Sequence, residues 1–199
     1  AAIKWLMNTS GYSYPTVAKA VEQLDVCLKR RPGGSVELDH FPRDEWARLV
    51  AVSDAARFTV RFADRSGQPR SPESLLRRLH QLRRNDIAIG GPWGAKHYDP
   101  ELDLVGNPRL DLSMHCRSTK TDYGFVRLLD PALEKTTTRN EPATVVVHLV
   151  RRRASLFEPS EGGPPWADPV ECLLDLHEAR LESQAREFLH AFAIARGKA

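Results

Sequence analysis

The segment Ile3-Lys4-Trp5-Leu6-Met7-Asn8-Thr9-Ser10-Gly11-Tyr12-Ser13-Tyr14-Pro15-Thr16-Val17 decides how the chain is read. Ala1 to Met7 reads as a helical segment with no capping residue or loop before it, which points to an earlier helix ahead of Ala1. Asn8 to Gly11 is a turn containing glycine, and Ser13-Tyr14-Pro15-Thr16 opens a second helix. From Tyr14 to Leu24 the apolar positions Val17, Ala20, Val21 and Leu24 follow the spacing of an amphipathic helix of about three turns. Two short helices joined by a glycine turn make a helix-turn-helix arrangement.

Outward from that pair, Arg31-Pro32-Gly33-Gly34 is a turn, flanked by Cys27–Lys29 and Ser35–Leu38. Val36 and Leu38 alternate with polar residues as a half-buried strand does, which predicts a hairpin. A second helix of this kind fits the DNA major groove and presents its first-turn side chains to base edges, while hydroxyls and amides at its start hold phosphates. Ser13, Tyr14, Thr16 and Lys19 are the candidates for that role. Lys29, Arg30 and Arg31 at the hairpin would contact backbone phosphate or the minor groove. Tyr14-Pro15-Thr16-Val17, the end of the helix at Leu24 and the basic hairpin resemble winged helix-turn-helix transcription regulators over about the first 50 residues. The resemblance implies a double-stranded DNA partner and, because operators read by such domains are two-fold, a homodimer.

Composition sets the outer limits. The chain has 199 residues, 41% hydrophobic and 28% charged, with a net charge of +3, which excludes disordered and fibrous classes. Cys27, Cys116 and Cys172 lie far apart and form no CxxC pair, so neither a disulfide framework nor a zinc site is expected. There is no apolar run of the ~18 residues needed to span a bilayer and no secretory leader pattern. A cytoplasmic protein without membrane contact is the expectation.

Charge is uneven along the chain. Arg57 to Arg84 holds eight arginines against Asp64 and Glu73, whereas Ala154 to Ala199 holds eight acids against four cations. Arg77, Arg78 and Arg84 are either an extension of a phosphate footprint or a solvated face balanced by the acidic tail within the fold. Arg151-Arg152-Arg153 has the same two readings.

Beyond about residue 50, Ser71-Pro72-Glu73 is a cap, a first-turn proline and an acid ahead of Leu75, Leu76, Leu79 and Leu82, which predicts a helix. Thr59–Phe62, Asp86–Ile89, Leu110–Met114 and Thr144–Val150 read as strands. Asp168-Pro169 repeats the cap signal, and Val170, Leu173, Leu174, Leu181, Phe188, Leu189 and Phe192 support one bent or two packed terminal helices. The predicted fold is α+β: a winged helix-turn-helix over residues 1–50, then a mixed α/β domain with C-terminal helices over 51–199.

Ile89-Gly90-Gly91, Asp103 and Leu110-Asp111-Leu112 resemble the nucleotidyltransferase superfamily, in which a glycine pair after a strand cradles nucleotide phosphates. That chemistry needs two carboxylates one residue apart on a strand to hold Mg²⁺, and neither Asp103-Leu104-Val105 nor Asp111-Leu112-Ser113 supplies the second. The competing reading is a local turn at Gly90 and Gly91 with Asp111 hydrogen-bonded nearby. His97, His115 and Cys116 lie close in sequence without the three or four convergent groups of a metal or Cys–His site. His80, His148, His177 and His190 read as isolated hydrogen-bonded or exposed imidazoles. No catalytic residue, cofactor or metal is expected.

Asp168-Pro169-Val170-Glu171-Cys172-Leu173-Leu174-Asp175-Leu176, with Ile89-Gly90-Gly91 through Ala95 before a strand, resembles the antitoxins of abortive-infection type IV toxin–antitoxin systems. This resemblance implies a repressor of its own operon whose second domain counters a cognate toxin, itself nucleotidyltransferase-like.

Overall fold

The computed structural model describes residues 1–104, 106, 108–118 and 121–197, apart from the side chains of residue 54 and residues 192–197. Lys198, counted in the acidic tail, and the Phe192 side chain lie outside what is described. Among the described residues the chain is a mixed α/β fold with eight α-helices and two sheets.

Helices α1 (Ile3–Ser10) and α2 (Tyr14–Gln23) are joined through Gly11, whose left-handed backbone caps α1 by donating its N–H to the Met7 carbonyl. Val17 and Val21 of α2 pack with Val36 against Ile3, Leu6 and Met7, one turn apart on one face as their spacing requires. Strands β1 (Leu28–Arg30) and β2 (Val36–Leu38) form the expected antiparallel hairpin, with Lys29 opposite Glu37. Ala1 and Ala2 are extended rather than helical: Ala2 bridges Ser35, and Val36 donates to the Ala1 carbonyl at 2.8 Å. Pairing with β2 satisfies backbone groups that a helix start would have left open, and it ties the helix pair to the hairpin.

α3 (Arg43–Ala56), for which the sequence reading had no element, leads to the main sheet. Its strands are β3 (Phe58–Asp64), β4 (Ile87–Ile89), β5 (Leu110–His115), β6 (Leu133–Lys135) and β7 (Val145–Val150), in the order β4-β5-β7-β3-β6. Only the β5–β7 pair is parallel, and both strands are almost wholly buried, as parallel strands covered on two faces must be.

On one face Leu110, Leu112, Met114, Val145 and Val147 pack under α4 (Pro72–Leu82) and α6 (Gly124–Leu129). The Ser71 side chain accepts the Ser74 N–H at the start of α4, as the cap signal predicts. On the other face, α5 (Gly91–Tyr98), α7 (Pro169–Glu178) and α8 (Glu182–Gly197) bury Ala88, Ala95, Cys172, Leu176 and Phe188. The Asp168 side chain caps α7 from the Val170 and Glu171 N–H groups. The helix pair meets this unit where Ala154 donates to the Thr9 carbonyl at 3.0 Å.

Close packing of α5 depends on Gly94, where an added Cβ would lie 2.6 Å from the Cys172 sulfur and 2.8 Å from the Ile89 carbonyl oxygen. Gly94→Ala should therefore destabilise the protein by roughly 1–3 kcal/mol although alanine favours helix. Urea denaturation checks this, and a neutral or stabilising effect would mean that α5 is packed more loosely than described.

Candidate functional site

Two places gather polar side chains: the outer surface of α2 with its hairpin, and a layer between the main sheet and α7.

On α2 the packing of Val17 and Val21 inward leaves Ser13, Tyr14, Thr16 and Lys19 exposed, Tyr14 by 57%. The Ser13 hydroxyl makes no cap hydrogen bond and lies 3.1 Å from the Thr16 hydroxyl. Lys29, Arg30 and Arg31 are exposed on the hairpin. Arg30 pairs with Asp25 at 2.7 Å and Arg31 with Glu37 at 2.6 Å, whereas Lys29 forms no ion pair among the described residues. Up to residue 42 the segment holds five cations against four acids.

The second cluster follows from strand alternation. Leu110, Leu112 and Met114 point to the α4–α6 core, so Asp111 and Ser113 point to the opposite face. Parallel pairing sets Ser113 beside His148, and antiparallel pairing sets Thr59 on its other side. Asp175 of α7 closes over them. His148 Nε2 is 3.2 Å from Asp111 Oδ1 and 3.3 Å from Asp175 Oδ1, while Nδ1 is 3.1 Å from the Thr59 hydroxyl and 3.6 Å from Glu178. Arg57, just past α3, donates to Asp175 at 2.6 Å and Glu171 at 3.1 Å. Arg61 pairs with Glu178, Arg109 with Asp111, and Arg152 with Asp168 and Glu171. Gly91 donates its N–H to Asp175 at 2.9 Å.

Asp111, Asp175 and His148 are at most 1% exposed, and the charges shift one another. Burial opposes ionisation of Asp111, but the Arg109 guanidinium and the His148 hydrogen bond overcome it and hold the carboxyl below the usual carboxylate range. Burial pushes Glu171 up against the pull of Arg57. Arg57 is held above its ordinary value because Asp175 and Glu171 outweigh its desolvation.

The candidates for nucleotidyl transfer separate. Asp111 is fully buried and engaged by Arg109 and His148, and Asp103 is exposed. Gly90 and Gly91 do not frame an open phosphate site: a Cβ at Gly90 would stand 2.6 Å from Asp175, and one at Gly91 2.6 Å from Asp111. His97 stacks on Trp166, His115 bonds the Arg152 carbonyl, and Cys116 donates to the Ser118 carbonyl. Among the described residues no three His, Cys, Asp or Glu side chains are placed to share a metal ion.

The arginine block resolves in large part as balance within the fold. Arg57 and Arg61 meet the acidic tail, Arg65 meets Glu141, Arg70 meets Asp130, Arg84 meets Asp86, and Arg78 donates to the Leu129 carbonyl. His148 is the hub of the cluster rather than an isolated imidazole. What sequence reasoning missed is the convergence of Arg57, Arg109, His148, Asp175 and Glu178; the signal available was a run of polar residues at alternate positions of otherwise apolar strands.

Comparison with models of protein families, with curated proteins and with solved structures finds no match to this chain.

Breaking one partner of a buried ion pair strands the other charge, so Asp111→Asn should cost about 3–5 kcal/mol at neutral pH. Because the folded-state pKa of Asp111 is depressed, its contribution is full above about pH 4, the unfolded value, and is lost as pH falls through the lower folded value. The gap between wild type and variant in urea denaturation should therefore shrink below about pH 4; an equal gap at pH 7 and pH 3 would refute this assignment.

Proposed function

We propose that this protein is a DNA-binding transcription regulator that reads duplex DNA with α2 and holds the backbone with the β1–β2 hairpin, as a winged helix. The observation that carries this reading is the arrangement of α2: Val17 and Val21 are buried in packing, while Ser13, Tyr14, Thr16 and Lys19 stand exposed toward its start. That is the portion of a recognition helix that meets base edges. The hairpin adds Lys29, Arg30 and Arg31, and its tie to Ala1 and Ala2 keeps it in register with the helix pair. The acidic partners of Arg30 and Arg31 are exposed, and such pairs are weak enough for phosphate to displace them.

The resemblance to abortive-infection antitoxins extends this proposal to a cytoplasmic repressor acting as a homodimer on a two-fold operator, with the second unit facing a cognate toxin. Burial of Asp111 among Arg109 and His148 favours a structural role for that carboxylate over the Mg²⁺ site of a nucleotidyltransferase.

The test is binding to a labelled duplex from upstream of the protein's own gene against a scrambled duplex at two salt concentrations. Wild type should prefer the upstream duplex. Lys29→Ala should weaken both duplexes alike and lower the salt slope by about one, whereas Tyr14→Ala should reduce discrimination by roughly 1–3 kcal/mol. Failure of any duplex to bind more tightly than ~10⁻⁴ M would overturn the reading.

A further inference from the structure

At the end of the main sheet where β3 begins and β5 and β7 finish, the apolar packing of the α4–α6 face gives out. Alternation sets Phe58, Val60 and Phe62 on one face of β3, and Val60 and Phe62 pack with Tyr123 into the α4–α6 core. Phe58, the outermost of the three, is 53% exposed. Its neighbour across β7 is Leu149. Two residues further on, Arg151 lies over the Phe58 ring with its guanidinium carbon 3.6 Å from the ring centre. Tyr123 stands close by: burial pushes its phenol up and the charge of Arg151 pulls it down.

Three arginines at this end have no acid to hold them. Arg151 and Arg153 follow β7 and Arg117 follows β5; all three are exposed, and none forms an ion pair among the described residues. Arg117 donates to the Arg153 carbonyl, which ties the two segments together. Arg152, between the other two, is turned inward onto Asp168 and Glu171. Asp122, the acid beside Tyr123, accepts the Gly124 N–H. Phe58 stays half exposed with the guanidinium in place, and Arg151 is itself exposed, so ring and guanidinium together offer a flat surface to solvent. A cation–π pair at such a surface is worth little to the fold.

We propose that this end of the sheet is a platform for single-stranded nucleic acid, on which unpaired bases stack against Phe58 and Arg151 while Arg117 and Arg153 hold the phosphates. Unpaired bases present flat π-faces that lie on aromatic rings and guanidinium planes, and neighbouring cations track the backbone. A duplex keeps those faces inside its own stack, so it could use the arginines but gains nothing from Phe58. An acidic protein surface would likewise meet the charges and leave the ring unused. The occupant therefore differs from the duplex assigned to α2, and none of the α2 candidates belongs to this surface.

The experiment is fluorescence anisotropy of the full chain with a labelled, unstructured oligonucleotide of about a dozen nucleotides, within the range of single-strand sites, as RNA, as DNA, and as that DNA annealed to its complement. Both single strands should bind more tightly than the annealed duplex, whose sequence is unrelated to the operator. Tighter binding of the RNA would identify a 2′-hydroxyl contact, and equal binding a site indifferent to the sugar. Phe58→Ala should weaken single-strand binding about tenfold, the loss of one stacked base. Arg151→Lys keeps the charge and loses the plane, so it should weaken binding severalfold with the salt dependence unchanged, whereas Arg153→Ala should lower the salt slope by about 0.7. Tyr14→Ala should leave single-strand binding unchanged, and Phe58→Ala should leave operator discrimination unchanged, which separates this site from α2. The proposal fails if the annealed duplex binds as tightly as the single strands, if Phe58→Ala or Arg151→Lys binds them as wild type does, or if Tyr14→Ala abolishes their binding.

Discussion

The structure rests on a layer of charge sealed between the main sheet and α7. Asp111, Asp175, Glu171 and Glu178 face Arg57, Arg61 and Arg109 around His148, in a setting where any unpaired member is expensive. Each pair therefore fixes the elements that carry it. Arg57 stands just past α3, Arg61 on β3, Asp111 on β5, His148 on β7, and Asp175 on α7, so one network sets how α7 lies across three strands and where α3 enters. A hydrophobic layer would hold these elements together but would tolerate sliding, whereas directional pairs permit few alternatives.

This explains why the Arg57–Arg84 block and the C-terminal segment are opposite in charge. Arg57 and Arg61 of that block are matched with Glu171, Asp175 and Glu178 across more than a hundred residues of chain, and Arg152 with Asp168 and Glu171 nearer by. Positive charge left at the surface is correspondingly modest. A DNA interface on α2 then depends on a few well-placed side chains more than on a broad basic field, and its specificity has to come from residues such as Tyr14 and Thr16.

Much of the scaffold was legible because it is written locally. The Ser71 and Asp168 caps, the period of α2, the alternation of β2 and β5 and the β-branched run of β7 all act over a few residues, and the structure has helices and strands at those places. α3 was not legible: Leu49 and Val52 are exposed, and the helix is held by Trp46 against Phe41 and His177, contacts no local pattern announces. Ala1 and Ala2 escaped for the same reason, since their extended form comes from pairing with β2. The helix-facing candidates Ser13, Tyr14, Thr16 and Lys19 followed from periodicity, and they are exposed. The charge cluster did not follow, because Arg57 and Asp175 are joined by the fold alone; the alternation Leu110-Asp111-Leu112-Ser113-Met114 told only that Asp111 lies on the opposite side from the leucines.

The account's central claim is that duplex DNA meets α2 and the hairpin while the charge cluster stays structural. Backbone amide hydrogen exchange with and without the upstream duplex tests it most directly. New protection concentrated at residues 13–19 and 29–31, with the amides of β5, β7 and α7 unchanged, is the predicted result. Protection confined to the main sheet, with the α2 and hairpin amides unaffected, would contradict it.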